Sequence, residues 1–238
     1  MNGLCAYLIT RADPVEPPVP GPYLLTHGAI GLLVAETELA GFTVDETELT
    51  PDSPVVALIR RHDAVVRSVF AGRPVLPLRF GTVFADEPAA LSLLREHHDE
   101  LRDRLDELAD HREWGARVHP PDGSRPERPA TEGLSGTEYL LLRQKQLSAA
   151  ELAKRRRDIA AATVHLALAG HATDSARRDR AGVLLDGTYL IPADREPEFR
   201  AEFAKLAGEL DAQGITAELT GPWPPYSFTH LELAAAHA

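Results

Sequence analysis

The pattern of apolar and polar positions divides the chain into short strand-like runs and helices with repeating apolar spacing. Residues 4–10 form an apolar run bounded by polar and proline-rich sequence, which predicts a buried strand. Two further runs, residues 23–26 and 30–35, lie on either side of Gly28 and predict a hairpin or two adjoining strand segments, with this glycine in the turn. The first part of the chain is therefore expected to be rich in strands.

The first two predicted helices begin at capping residues. Ser53 followed by Pro54 predicts a helix to about residue 70, and Asp86 with Pro88 in the first turn predicts the next one. In the second helix, apolar residues recur at steps of three and four and form one packing stripe that includes a histidine: Leu91, Leu94, His98, Leu101, Leu105 and Leu108. Between the two helices, residues 75–84 predict a strand, with Pro77 at an edge or bulge and Gly81 at a kink.

The second half of the chain also alternates between strands and helices. A short strand is expected at residues 113–119, followed by a linker at 120–133 that is rich in proline, glycine and charge. A capping box at residues 135–138 opens a long helix, and a second match at 148–151 indicates a break or a bend there. After it the pattern predicts a strand, an amphipathic helix and a half-exposed strand: residues 183–191, 199–210 and 215–219.

A small antiparallel sheet covered by two helices accommodates each half of this order of elements. We therefore predict an α+β protein with two ferredoxin-like-related α/β sandwich domains. The N-terminal ferredoxin-like domain is expected to span residues 1–110. The C-terminal α+β domain, with the long helix and a final proline-aromatic segment, is expected to span residues 111–238.

That final segment, Gly221-Pro-Trp-Pro-Pro-Tyr-Ser-Phe228, is called the octet below. It holds three aromatic residues, although aromatics make up only 6% of the chain. Each proline fixes its own φ and restricts the preceding residue to extended conformations, so the aromatic rings are presented on a preset path. Two interpretations are open: Trp223, Tyr226 and Phe228 tuck the segment onto the core, or they form a rigid docking surface. The burial of Trp223 is the observation expected to separate them.

Composition and charge exclude several classes of protein. The formal net charge is −11 and the pI is about 5.4, so nucleic acid and anionic membranes would repel the chain. Its single cysteine, Cys5, lies in an apolar run and is expected to pack as a small hydrophobic residue. No apolar run approaches the roughly 20 residues that a membrane-spanning helix needs. We expect a cytosolic protein without nucleic-acid or lipid-membrane partners.

The sequence predicts no catalytic, cofactor-binding or metal-binding residues. His97 and His98 are adjacent and point apart on a helix, whereas helical zinc pairs lie four residues apart. The basic run at residues 154–157 is expected to be a solvated helix face. The alternative function is a ferredoxin-like enzyme or a haem- or metal-binding protein that uses a histidine such as His98 or His165.

Five segments resemble a known family. They are an opening strand at residues 5–10, the central motif Leu76-Pro-Leu-Arg-Phe-Gly-Thr-Val-Phe84, a helix start at 136–140, a strand at 189–192, and the octet. In this order and at these separations they resemble the gas vesicle protein family L/F (GvpL/GvpF) over nearly the whole chain. The octet is the most specific of the five.

The resemblance implies a non-enzymatic accessory protein of gas vesicles, located at the vesicle within the cytoplasm. Such a protein would be a minor structural component or an assembly factor. It would bind the hydrophobic shell protein and other accessory vesicle proteins, and it would help to prevent aggregation of the shell protein during vesicle nucleation. We predict protein interaction or domain locking for residues of the central motif and the octet: Pro77, Arg79, Phe80, Gly81, Gly221, Pro222, Trp223, Pro224, Pro225, Tyr226 and Phe228.

Overall fold

The computed structural model of the chain describes residues 2–38, 50, 53–121 and 135–229. The chain forms two compact units, one of Met1–Glu113 with Pro222–Ala238 and one of Trp114–Gly221. The octet from Pro222 onward thus belongs to the first unit, whereas we expected it in a domain that begins at residue 111. The assignment of two folding domains stays a prediction, and most of the expected linker at 120–133 lies outside the described residues.

The first unit combines one antiparallel sheet with three described helices. Its elements are β1 Asn2–Arg11, β2 Tyr23–His27, β3 Ile30–Glu38, α1 Pro54–Phe70, β4 Val75–Pro77, β5 Val83–Phe84, α2 Glu87–Glu96 and α3 His98–Glu107. The strands are ordered β2-β3-β1-β4, β5 also pairs with β1, and all of these pairings are antiparallel. Eight of the ten residues of β1 are buried, as expected for a central strand that is covered on both faces.

Local signals in the first unit are confirmed. The β2–β3 hairpin closes with His27 opposite Ile30, and Gly28 between them has φ +57. A side chain at this glycine would also collide with His98, whose Nε2 would lie 2.6 Å from the added Cβ. Ser53 accepts a hydrogen bond from the Val56 amide at the start of α1. These positions show that turns and caps were readable from neighbouring residues.

Two expected elements of the first unit are divided in the structure. Residues 75–84 form two short strands, β4 and β5, rather than one, and Gly81 between them has φ +86. The striped helix is interrupted at His97, whose φ of −112 and ψ of 18 are not helical, so it becomes α2 and α3. The stripe nevertheless packs inward, because Leu94, Leu101 and Leu105 are all buried.

The second unit contains the remaining elements. They are β6 His111–His119, α4 Gly136–Ala169, β7 Asp174–Arg177, β8 Leu185–Pro192, a 3-10 turn at Ala193–Arg195, α5 Glu196–Asp211 and β9 Thr216–Trp223. The sheet order is β7-β8-β6-β9, and the chain passes between the two units within β6 and β9. Its core is centred on aromatic residues that pack against one another: Trp114, Tyr189 and Phe199.

The capping box at the start of α4 is confirmed, and the second match at residues 148–151 does not break the helix. Ser135 and Glu138 exchange side-chain and backbone hydrogen bonds. The helix that follows is 34 residues long, from Gly136 to Ala169, and it passes through Ser148 without interruption. β7 was not predicted, because it is a polar and largely exposed strand without apolar alternation. The combination of helices with antiparallel sheets confirms the α+β class. None of the described helices has the length and apolar character needed to cross a membrane.

Candidate functional site

One helix of the first unit, α1, contacts both of the segments that the sequence singled out. His62 contacts the central motif, where its Nε2 lies 3.1 Å from the Leu78 carbonyl oxygen. The next residue, Asp63, contacts the octet through the Tyr226 hydroxyl. One turn further on, Arg67 lies over the Trp223 ring. Consecutive positions of a single helix thus hold parts of the central motif and of the octet.

The two outer aromatic rings of the octet are fixed by charged side chains of α1. The Tyr226 hydroxyl donates a hydrogen bond to Asp63 Oδ1 at 3.1 Å, and the Arg67 guanidinium carbon lies 4.6 Å from the centre of the Trp223 ring. Burial raises the pKa of Tyr226, and the carboxylate of Asp63 raises it further, so the hydroxyl stays protonated and remains a donor. Both rings are therefore held in place while Tyr226 keeps 37% of its surface exposed.

The inner side of the octet is anchored to the first unit. Phe228 is only 1% exposed, and Pro224 and Pro225 are buried. The buried carboxylate of Glu113 accepts hydrogen bonds from the Ser227 amide at 2.7 Å and from the Ser227 hydroxyl at 2.8 Å. Charge-assisted bonds of this kind are roughly twice as strong as neutral ones. The end of the octet is therefore part of the structure of this unit.

The backbone of the octet changes from strand to turn at its middle. Gly221, Pro222 and Trp223 are the last residues of β9. The segment then turns, with the Tyr226 amide donating to the Pro224 carbonyl at 2.7 Å and the Phe228 amide donating to the Pro225 carbonyl at 3.1 Å. The Arg104 guanidinium donates to the Phe228 carbonyl and closes the turn. This conformation places Tyr226 outward and Phe228 inward.

The central motif also has an inner and an outer part. Pro77 ends β4 and is buried, whereas Arg79 and Gly81 are exposed. The ring of Phe80 is partly exposed and stands edge-on to His62, with centroids 5.8 Å apart. Pro77 and Phe80 therefore pack, together with the buried Leu76, Leu78 and Phe84 of the same motif. Arg79 and Gly81 occupy the loop between β4 and β5.

His62 is the buried polar group at the centre of this arrangement. Its ring stacks on Tyr7 at 5.1 Å, and burial lowers its pKa, although the Leu78 carbonyl and Asp63 act in the opposite direction. A carbonyl oxygen can only accept, so the Nε2 of the neutral ring carries the proton and donates it to Leu78. The neutral form is favoured because a charged imidazolium would have to be desolvated.

Sequence reasoning missed several residues that build this region. Ile59 is 39% exposed and precedes His62 and Asp63 by three and four positions, so it shares their face of α1. We call Ile59, Phe80, Trp223 and Tyr226 the α1–octet surface. The spacing of α1 contained one signal, because Asp63 is a charged residue in line with the apolar residues Ile59, Val66 and Phe70. The anchors Glu113 and Arg104 gave no local signal, being 114 and 124 residues away from their octet partners.

The histidines of the alternative function pack within their own units. His98 Nδ1 lies 3.1 Å from Asp99, and its other nitrogen faces the backbone of Gly28. His165 Nδ1 lies 2.9 Å from the Tyr189 hydroxyl. Among the residues that the structure describes, no three His, Cys, Asp or Glu side chains are grouped to hold a metal ion.

Comparison with known proteins agrees with the resemblance seen in the sequence. Gas vesicle protein L of Streptomyces sp. (strain CB03234) is 30% identical over 234 residues, which cover 91% of this chain and 86% of that protein. Gas vesicle protein F2 of Halobacterium salinarum is 26% identical over 198 residues, covering 82% and 78%.

Solved structures show the same fold. The crystal structure of the gas vesicle protein GvpF from Anabaena sp. PCC7120 superposes with a TM-score of 0.71 at 21% identity, covering 97% of this chain and 99% of that one. GvpF from Microcystis aeruginosa gives a TM-score of 0.65 at 20% identity, with 96% and 99% covered. The family model described as "Gas vesicle synthesis protein GvpL/GvpF" matches residues 16–230. The chain therefore belongs to the GvpL/GvpF family of gas vesicle proteins.

Proposed function

We propose that this gas vesicle accessory protein acts without catalysis, by binding the hydrophobic shell protein on its α1–octet surface. In this role it limits aggregation of the shell protein during vesicle nucleation. It acts as an assembly factor or as a minor component of the vesicle, within the cytoplasm, and other accessory vesicle proteins are its further partners. The proposal depends most on Tyr226, an aromatic ring that is both exposed and fixed.

The physical argument rests on the combination of exposure and anchoring. An apolar client must find apolar area on its partner, and that area contributes more affinity when its side chains are already ordered. Tyr226 and Trp223 are ordered by Asp63 and Arg67, and Ile59 adds exposed aliphatic surface on the same face of α1. Aromatic side chains in such positions are the ones that most often dominate binding energy.

The charged groups beside the rings support a transient complex. Asp63 and Arg67 are themselves partly exposed and their charged atoms lie 3.7 Å apart. They form a polar edge beside the apolar residues, an arrangement common in protein interfaces. A polar edge lets the free protein stay hydrated at this surface, so a client that later enters the vesicle wall can be released.

The test is capture of the shell protein by the purified chain. The shell protein is refolded from denaturant alone or with the chain, and light scattering and co-sedimentation report aggregation and binding. Trp223→Ala with Tyr226→Ala is expected to reduce capture by at least about tenfold, which corresponds to about 1.4 kcal/mol. Tyr226→Phe keeps the ring but loses its hydrogen bond to Asp63, so it is expected to weaken capture much less than the double variant.

Two controls separate binding from folding. Tyr23→Ala removes a partly buried tyrosine elsewhere in the first unit, whose hydroxyl donates to Glu87, and it should leave capture unchanged. Thermal unfolding of the double variant is measured in parallel. If the double variant is folded and still captures the shell protein, or if it unfolds and so shows the octet to be only core, the proposed role of this surface is wrong.

We also propose a ferredoxin-like topology for the second unit. Its elements follow the order β6-α4-β7-β8-α5-β9, a β-α-β-β-α-β sequence, and its sheet order is β7-β8-β6-β9. The first unit has the different order β-β-β-α-β-β-α-α among its described elements. For that unit the ferredoxin-like relationship stays a prediction.

A further inference from the structure

Most of helix α4 buries none of its apolar residues against the part of the chain that the structure describes. Its buried residues, Ala161, Val164 and Leu168, all lie in the last third of the helix. The preceding part, residues 136–160, is about 37 Å long at 1.5 Å per residue. That part has no buried residue and still carries large apolar side chains: Tyr139, Leu140, Leu141, Leu147, Leu152 and Ile159. Single exposed leucines are ordinary, but so many on one helix indicate an interaction surface.

Four of the exposed apolar side chains line up along one side of α4. Leu152, Ile159 and Leu166 follow at intervals of seven residues, and Leu141 lies eleven residues before Leu152. Seven and eleven residues are close to whole numbers of helical turns, so these four form a single stripe. We call Leu141, Leu152, Ile159 and Leu166 the α4 stripe. Each of them is more than half exposed.

The α4 stripe lies on the side of the helix opposite its packed face. Ala161 follows Ile159 by two residues, and positions two apart on a helix point to different sides. Val164 and Leu168 lie on the same side as Ala161 and pack into the core of the second unit. The helix therefore has an inner apolar face that is used and an outer apolar face that is unpartnered among the described residues.

Basic residues accompany the α4 stripe. Lys145 follows Leu141 by four positions, Arg155 precedes Ile159 by four, and Arg156 follows Leu152 by four. Helical residues separated by four are neighbours, so these cations lie along the stripe. The whole of α4 carries six Lys and Arg against three Asp and Glu, although the chain has a net charge of −11. This helix is thus a basic element in an acidic protein.

We propose that the α4 stripe is the docking site for an acidic amphipathic helix of a partner protein. Leucine-type residues of the partner pack between those of the stripe, and its carboxylates pair with Lys145, Arg155 and Arg156. A partner helix of about four heptads matches the distance from Leu141 to Leu166. This surface is separate in sequence and in chemistry from the α1–octet surface, and it does not depend on the function proposed above.

Charge decides against a second α4 helix as the occupant. Pairing two copies of this helix would bring Lys145, Arg155 and Arg156 close to basic residues of the other copy along the seam. Like charges flanking a helical seam oppose pairing, and opposite charges select the partner. An acidic partner removes this repulsion and gains attraction, which makes it the favoured occupant.

The test uses the full chain and two synthetic helical peptides of about four heptads, both with leucine at the seam positions. One peptide carries glutamate at the flanking positions and the other carries lysine. Fluorescence anisotropy should show binding of the glutamate peptide and at least about tenfold weaker binding of the lysine peptide. The charge reversal K145E/R155E/R156E should invert this preference.

A matched pair of variants locates the site on the helix. Leu152→Gln with Ile159→Gln removes two exposed residues of the stripe and should weaken binding of the glutamate peptide at least about tenfold. Leu140→Gln with Leu147→Gln removes two equally exposed leucines from another side of α4 and should leave binding unchanged. Circular dichroism checks that both variants remain helical.

Three outcomes would overturn the proposal. Equal effects of the two variants would mean that the stripe is not the site. Concentration-dependent dimerisation of the chain, abolished by Leu152→Gln with Ile159→Gln, would make a second copy the occupant. A single-stranded oligonucleotide could instead bind the unaltered chain and displace the glutamate peptide from it. If the oligonucleotide bound the variant Leu152→Gln with Ile159→Gln equally well, the basic residues would be assigned to nucleic acid.

Discussion

The α1–octet surface and the α4 stripe both expose large apolar side chains, but they are held in different ways. Tyr226 and Trp223 are fixed by Asp63 and Arg67, and the segment that carries them is anchored at Glu113. Among the residues that the structure describes, nothing buries the α4 stripe, since each of its four residues is more than half exposed. Exposure alone therefore does not distinguish an interaction surface from a structural element.

Because the two surfaces are held differently, substitutions in them should differ in how they affect stability and binding. In the octet, the same short segment contributes to the core of the first unit and offers a surface, so substitutions there affect both properties. Along the α4 stripe, substitutions leave the packed side of the helix untouched and can affect only what binds from outside. Measurements of unfolding should consequently respond strongly to the octet and hardly at all to the stripe.

The largest effect is expected at the inner end of the octet. Phe228→Ala removes a fully buried ring and should lower the free energy of unfolding by about 3–5 kcal/mol. Urea unfolding followed by Trp223 fluorescence in a Trp114→Phe background reports on the first unit alone. A loss below about 1 kcal/mol would show that the octet is not anchored there, since typical surface substitutions fall within about 0.5 kcal/mol.

A smaller loss of stability is expected when Glu113, which anchors the octet, is changed. Glu113→Gln keeps the shape of the side chain and removes its charge, which weakens the hydrogen bonds from the Ser227 amide and hydroxyl. Hydrogen bonds to charged groups contribute about 1.5–3 kcal/mol, so the free energy of unfolding should fall by about that amount. Glu100→Gln, at a carboxylate of α3 that is 64% exposed and does not contact the anchors of the octet, is the matched control and should be nearly neutral.

The next prediction concerns the dependence of stability on pH. Because burial lowers the pKa of His62 in the folded state, the unfolded chain binds this proton more readily. Above about pH 6.5 the histidine is neutral in both states and does not change the free energy of unfolding. As the pH falls from there toward the folded-state pKa, the unfolded chain binds the proton first and the free energy of unfolding decreases. His62→Gln retains a donor for the Leu78 carbonyl and should show a smaller decrease in the free energy of unfolding between pH 7.5 and pH 5.

His165 acts in the same direction in the second unit, because burial also lowers its pKa. It is unchanged in the His62→Gln variant, so its contribution cancels when the two proteins are compared. An identical decrease in both proteins would contradict the role assigned to His62.

The smallest effect on stability is expected along the α4 stripe. Leu152→Gln with Ile159→Gln replaces side chains that are 52% and 58% exposed, so the free energy of unfolding should change by less than about 0.5 kcal/mol for each substitution. Unfolding of the second unit is followed by Trp114 fluorescence in a Trp223→Phe background. A loss of several kcal/mol would mean that the stripe is covered within the chain.

The parts of the fold that could be predicted were those encoded by neighbouring residues. Ser53, Asp86 and Ser135 each cap the helix that was expected to follow them, and Gly28 supplies the expected turn. The interruption at His97 was not predicted. His98 follows Leu94 by four residues and precedes Leu101 by three, so the apolar spacing of α2 and α3 continues across the one residue that is not helical. Apolar periodicity reports which side of a segment is buried, but it does not report whether the helix is continuous.

The candidate site was only half predictable for a related reason. The octet stood out by its prolines and aromatic residues, but its inner and outer sides are decided by long-range partners. Asp63 lies 163 residues from Tyr226, and Glu113 lies 114 residues from Ser227. Likewise, the sequence predicted a long helix at α4, but only the fold shows that one of its two apolar sides is left exposed. Trp223 is partly buried, so its burial alone does not choose between the two interpretations of the octet.

The most direct test of the α1–octet surface is photo-crosslinking to the shell protein. A benzophenone amino acid replaces Tyr226 in one protein, Leu152 in a second and Tyr23 in a third, and each is irradiated with refolding shell protein. We predict a crosslink from position 226 and none above background from positions 152 and 23. Crosslinking of equal yield from all three positions, or from position 152 but not 226, would contradict the assignment of shell-protein binding to the octet.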